Sequence, residues 1–184
     1  HIRSGLFLAH VRASTGTATA RSNCHPFSHG QWLFMHNGQI GGYDRLRRRL
    51  EAMIADDVYR HRLGTTDSEL LFYLLFGEGL EENPVEALAR SVGRINAERD
   101  ALGAEAPFRL TATLTDGERV YAIRYSTDVT PPSLYWSRSS GHLLVVSEPF
   151  DEEEDGRCWN EVPPNQLLVA ERNVATDIVP FVPS

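Results

Sequence analysis

Apolar residues recur along this chain with two different periods, and the change of period divides it. Leu6–Val11 and Gln31–His36 are short runs of strand-forming residues, and each predicts a strand. The second stops at Asn37-Gly38, a dipeptide that predicts a turn. Residues 13–30, rich in Ser, Thr, Gly and Asn, predict a loop. From Tyr43 to Ile54 the spacing becomes helical. Leu46, Leu50, Met53 and Ile54 share one face, and Arg45, Arg47, Arg48, Arg49 and Glu51 mostly occupy the rest. Thr65-Thr66-Asp67-Ser68-Glu69 precedes the apolar run Leu70–Phe76, and a Thr or Asp with Glu three residues on is the signature of a helix start. A third helix opens at Asn83-Pro84, with Asn as cap and Pro in the first turn, and should end near Gly103. Beyond Phe108 the period falls to two. Phe108–Leu114 and Val120–Tyr125 predict a hairpin around Asp116-Gly117, and Ser133–Trp136 and His142–Val146 another around Ser140-Gly141. Gln166–Ala170 and Thr176–Phe181 close the chain as strands, after an acidic stretch, Asp151–Asp155, that reads as a solvated loop.

Strands and helices are thus segregated, which predicts an α+β layered fold rather than a doubly wound one. No Gly-rich loop follows a strand, so dinucleotide and nucleoside triphosphate binding lack support. No repeat or linker interrupts the 184 residues, and the whole of 1–184 reads as a single domain. The longest apolar run, Leu70–Phe76, is far too short to span a bilayer.

Charge narrows the function further. Eighteen basic residues against 25 acidic ones leave a formal net charge of −7. That disfavours nucleic acid and anionic membrane as partners. Every basic residue is Arg and none is Lys, which removes Schiff-base and P-loop lysines from consideration. The arginines of 45–49 read as a solvated helix face. Two cysteines, Cys24 and Cys158, do not make a disulfide framework and point to a reducing, cytoplasmic compartment. The chain starts at His1 without Met or leader and runs straight into an apolar pattern. The expectation is that its natural beginning lies upstream.

Four clusters among the first 69 residues could carry chemistry. Arg12, in Ala9-His10-Val11-Arg12-Ala13-Ser14-Thr15, could present a bidentate fork to a carboxylate. Cys24, His25, His29 and His36 could be drawn as a metal site, but adjacent Cys and His suit tetrahedral ligation poorly. Cys24 and His25 could be drawn as nucleophile and base, but neighbouring side chains diverge, and a structural Cys and a core His is the plainer reading. Asn37-Gly38 supplies a side-chain amide and a backbone N–H, the two donors an oxyanion hole needs, or else a plain turn. Asp67 could cap a helix or hold an ammonium group, and a carboxylate has lone pairs enough for both.

Together, Ala-His-x-Arg-Ala-Ser-Thr, His-Pro-Phe, His-Asn-Gly and Thr-Thr-Asp-Ser-Glu in this order resemble the class II glutamine amidotransferases. Leu114-Thr115-Asp116-Gly117, Arg124-Tyr125-Ser126, Ser147-Glu148-Pro149-Phe150 and Trp159 followed by Val162-Pro163-Pro164 look like the stand-alone YafJ-type branch. The resemblance covers nearly the whole chain. It implies a four-layer α/β/β/α sandwich of antiparallel sheets, the N-terminal-nucleophile hydrolase fold, with the first strands absent here. It implies that Arg12 clamps the α-carboxylate of glutamine, with Thr15 beside it, and that Asp67 pairs with the α-ammonium. Asn37 and Gly38 would stabilise the oxyanion, and His25 and His36 would be structural neighbours. The family nucleophile is a cysteine at the mature N-terminus, a position that neither Cys24 nor Cys158 holds. The function implied is hydrolysis of glutamine or a γ-glutamyl compound through a thioester on that cysteine. No metal or organic cofactor is required, and the ammonia could pass to a separate acceptor enzyme. The alternative is a glutamyl-binding or regulatory module without a nucleophile.

Overall fold

A computed structural model describes residues 4–11, 20–139, 141–149, 158–171 and 176–184. The acidic stretch Asp151–Asp155 and the turn residue Ser140 lie outside the described residues, as do Arg12 and Thr15. Nine strands are described: β1 (Phe27–His29), β2 (Trp32–Gln39), β3 (Arg109–Thr115), β4 (Arg119–Ser126), β5 (Tyr135–Ser139), β6 (His142–Val146), β7 (Asn160–Glu161), β8 (Gln166–Glu171) and β9 (Thr176–Pro180). The helices are α1 (Tyr43–Glu51), α2 (Asp56–Tyr59), α3 (Asp67–Gly77) and α4 (Pro84–Leu102).

Six strands form one sheet in the order β1-β2-β3-β4-β8-β9, and three form a second in the order β6-β5-β7. Every pairing is antiparallel. The alternation of β4 shows how the layers stack. Tyr121, Ile123 and Tyr125 join the main core with Phe34, Leu46, Phe72, Leu88 and Val92, on the helical side. Ala122 faces the other way and packs with Leu168 and Ala170 of β8 against Leu134, Val162 and Trp136. Among the described residues the layers run helices, large sheet, small sheet. The fold class is therefore α+β with layered antiparallel sheets, as the sequence predicts. Leu71–Leu75 of α3 are buried all round, as expected of a helix that is apolar on every face. Arg124, also on β4, bridges the two sheets. Its Nη1 donates to Glu161 Oε1 at 2.6 Å and to the Val162 carbonyl at 2.7 Å, and its Nε to the Pro132 carbonyl at 2.9 Å.

The helix ends follow their local signals. The Thr66 hydroxyl accepts from the Glu69 N–H at the start of α3, and the Asn83 side chain from the Glu86 N–H at the start of α4. Gly103 ends α4 with φ +63°, a left-handed conformation that glycine adopts without strain.

Several expectations are corrected. Leu6–Val11 forms no strand. Among the described residues no strand lies beside it to complete a ladder, and Phe7 and Val11 are exposed. Asn37-Gly38 is not a turn. Strand β2 continues through it because β3 pairs along its full length, with Asn37 opposite Thr111 and Gly38 opposite Leu110. The predicted loop 13–30 contains a 3-10 turn at Arg21–Asn23 and strand β1. Helix α1 stops at Glu51, short of Ile54, and α2 follows it. Strand β5 lies at Tyr135–Ser139 rather than Ser133–Trp136, and β7 adds a two-residue strand.

Candidate active site

The C-terminal end of β2 and the first turn of α3 meet at a cleft of about 1360 Å³. Asn37, Gly38, Asp67, Ser68 and Tyr43 line one side, and Pro132, Leu134 and Val145 to Glu148 line the other. Phe34 and His36 are buried, with Phe34 in the helical core. The period of two therefore places Met35 and Asn37 on the opposite face of β2, toward the small sheet. Gly38 has φ +141°, and a Cβ there would collide with the Arg109 carbonyl and with His36 Nε2. Only glycine lets β2 lie this close to β3 while opening onto the cleft.

Asp67 is the first residue of α3, where its negative charge complements the helix dipole. Thr66 does the capping, so the Asp67 carboxylate is available for other partners. Oδ1 accepts from the Ser68 N–H at 2.9 Å and Oδ2 from the Ile40 N–H at 2.8 Å. Each oxygen keeps a lone pair for a cation in the cleft. Behind it, the Tyr43 hydroxyl donates to the Thr66 carbonyl at 3.3 Å and accepts from Arg62 Nη2 at 3.0 Å. Burial pushes the Tyr43 phenol up to about 12, so it remains a donor at neutral pH. Arg62 in turn pairs with Glu51 and lies 3.7 Å from Glu69. Buried Glu69 accepts from the Leu63 and Gly64 N–H groups at 2.8 Å each.

His36 lies beneath the cleft, almost wholly buried. Its Nε2 faces the Arg109 carbonyl at 3.1 Å and its Nδ1 faces Ser68 Oγ at 3.0 Å. A carbonyl can only accept, so Nε2 carries the proton and Nδ1 accepts from the serine hydroxyl. Burial lowers the His36 pKa, opposed in part by the Asp67 charge, and keeps the ring neutral. Arg109 also lines the cleft, but its guanidinium is committed to Asp128 at 2.6 Å. That pairing holds the Asp128 carboxyl well below the usual range.

The structure thus brings Asn37, Gly38 and Asp67 to one cleft. Arg12 and Thr15 lie outside the described residues, although Val11, immediately before Arg12, lines the cleft. His25 also lines it and packs on His10, with ring centres 4.3 Å apart, and on Phe27 at 4.7 Å. Cys24 and Cys158 are exposed, and neither is among the residues lining the cleft. The four residues that could be drawn as a metal site do not converge. His29 packs on His61 and Phe76, His36 on Ser68, and no group of three His, Cys, Asp or Glu among the described residues could hold a metal. Of the arginine run, Arg47 and Arg49 form surface pairs with Glu51 and Glu98, while Arg45 reaches the cleft lining. Sequence reasoning missed Ser68 and Tyr43. The Ser68 bond to His36 spans 32 residues, and no local pattern announces it. No helix among the described residues is long and apolar enough to cross a membrane.

Comparison with known proteins places these features in context. The family model for class II glutamine amidotransferases matches residues 1–130. The chain is 30% identical over 210 residues to the probable glutamine amidotransferase DUG3 of Saccharomyces cerevisiae, covering 92% of this chain and 58% of that protein. It is 28% identical to the gamma-glutamyl-hercynylcysteine sulfoxide hydrolase of Mycolicibacterium smegmatis, covering 91% and 61%. It therefore spans about three fifths of the length of these curated relatives. Among solved structures, a glutamine aminotransferase class-II domain protein from Silicibacter pomeroyi superposes with a TM-score of 0.82 at 40% identity, covering 90% of this chain and 74% of that one.

Proposed function

Because the chain belongs to the class II glutamine amidotransferases, we propose that it forms the glutamyl-binding part of a site that hydrolyses a γ-glutamyl amide. The observation that carries this reading is the meeting of Asp67, Asn37 and Gly38 at one cleft. A carboxylate with free lone pairs suits an α-ammonium, and two neutral donors suit a charge that develops during reaction. Arg12 supplies the fork for the α-carboxylate, with Thr15 beside it.

In the first step a thiolate attacks the side-chain amide carbon, and the carbonyl oxygen gains the negative charge. The Asn37 side-chain amide and the Gly38 backbone N–H donate to that oxyanion. The intermediate collapses to a thioester as the C–N bond breaks, and the leaving nitrogen takes a proton and departs as ammonia or an amine. Water then attacks the thioester, through a second oxyanion in the same place, and frees the glutamyl carboxylate and the thiol. In this reading the thiol belongs to an N-terminal cysteine that is not among these 184 residues. Residues 1–184 act as one amidotransferase domain in the cytoplasm, a setting that two unpaired, exposed cysteines suit. The substrate is glutamine or a larger γ-glutamyl compound, and a separate enzyme could accept the ammonia.

The test is ammonia release from glutamine by the full-length protein, with a γ-glutamyl peptide assayed in parallel. Turnover of either supports hydrolysis. Calorimetric binding of glutamate without turnover of either replaces the enzyme with a glutamyl-binding module, and neither binding nor turnover overturns the reading altogether.

A further inference from the structure

Two hydrogen bonds tie the end of β2 to the first two residues of α3, and they flank the pair Asn37-Gly38. On one side, His36 Nδ1 accepts from Ser68 Oγ at 3.0 Å. On the other, the Ile40 N–H donates to Asp67 Oδ2 at 2.8 Å. The oxyanion donors therefore sit on a short piece of strand pinned at both ends to the helix start that carries the carboxylate. His36 is further fixed to β3, because Nε2 donates to the Arg109 carbonyl at 3.1 Å. Both His36 and Ser68 are buried, so water does not compete for these bonds.

We infer that His36 and Ser68 are positioning residues that set the separation between the ammonium-binding carboxylate of Asp67 and the oxyanion donors of Asn37 and Gly38. This inference rests on the proposed function. A glutamyl substrate must reach both points at once, and a small displacement between them costs transition-state alignment rather than ground-state contact. Of the two ties, the one through His36 and Ser68 joins two side chains that border the cleft but are almost wholly buried, and neither is assigned a contact with substrate in the proposed function. It can be removed while Asp67 keeps its bonds from the Ser68 and Ile40 N–H groups; Ser68→Ala also removes a 3.5 Å contact from Ser68 Oγ to Asp67 Oδ1, which His36→Gln does not touch.

The test compares two substrates of the full-length protein, glutamine and its desamino analogue glutaramate, which keeps the amide and the carboxylate but lacks the α-ammonium. The ratio of their kcat/KM values is independent of the fraction of active enzyme, so a merely destabilising change does not move it. In Ser68→Ala, which leaves His36 Nδ1 without its donor, the preference for glutamine should fall about tenfold. Ser68→Thr, which retains the hydroxyl, should restore it. His36→Gln provides a second variant with the same expected loss. An unchanged ratio in Ser68→Ala and His36→Gln overturns the inference.

Failure of the underlying function reads differently. A wild type that hydrolyses neither these amides nor a γ-glutamyl peptide overturns the hydrolase reading. The brace itself is then decided by imidazole ¹⁵N spectra of the full-length protein. A neutral Nε2–H tautomer for His36 between pH 6 and 8 supports it, and a protonated ring or an Nδ1–H tautomer overturns it.

Discussion

A carboxylate that accepts one backbone N–H on each oxygen has a fixed orientation, and its remaining lone pairs point where a ligand must come. Asp67 is held in this way by Ser68 and Ile40. Asp67→Asn should raise KM for glutamine by roughly 10- to 100-fold with a much smaller change in kcat, since it removes charge-assisted binding present before and during reaction. Steady-state kinetics on the full-length protein decides this. Asn37→Ala should instead lower kcat by about 10²–10³, the usual effect of losing one oxyanion donor. A loss confined to KM would remove Asn37 from that role. Burial lowers the His36 pKa in the folded state, so the unfolded chain takes up a proton that the native ring refuses. Stability is then intact above about pH 6.5 and falls as the pH drops below it, by on the order of 1 kcal/mol per pH unit. Urea midpoints at pH 7.5 and 5.5 should separate more for wild type than for His36→Gln. The residues that touch substrate in this reading were legible from their motifs. The residues that hold them were not, because a bond between His36 and Ser68 depends on how a strand and a helix dock, and sequence spacing carries no trace of docking.

Elements were legible where their cause is local. Asn83 and Pro84 announce α4, and the Asn83 side chain does accept from the Glu86 N–H at 3.3 Å. Asn83→Ala should cost about 1 kcal/mol, measurable as a lower urea midpoint with unchanged slope. Thr66→Ala removes the equivalent cap of α3 and should cost a similar amount, about 1 kcal/mol. It also loosens the turn that presents Asp67, so it should lower kcat/KM for glutamine where Asn83→Ala does not. Elements were misread where a partner overrides local preference. Asn37-Gly38 has turn chemistry, but β3 offers a full ladder of pairings and the strand runs on to Gln39. Leu6–Val11 has strand chemistry, and without a neighbouring strand among the described residues it stays irregular. Helix α3 is buried along most of its length, so its apolar run carries little helical period, and the helix-start signature of Thr65–Glu69 is the local signal that marks it.

At the scale of the molecule, the two sheets are held together unequally with respect to the helices. The large sheet and its helices share an extensive apolar core. The small sheet rests on a minor cluster and on the Arg124 bridge to Glu161, Val162 and Pro132. The consequence is a hierarchy of opening free energies. In native-state hydrogen exchange, the amides of β5 and β6 should exchange through a partial unfolding that leaves β2, β3 and α3 protected. Arg124→Met should speed that exchange selectively, and uniform acceleration of all strands would refute the hierarchy. Val145 and Val146 of β6 line the cleft, so the compliant layer contributes part of its surface. The face that bears Asn37, Gly38 and Asp67 belongs to the layer that opens last. Such a division lets substitutions in the small sheet reshape the cleft at little risk to the arrangement of Asn37, Gly38 and Asp67.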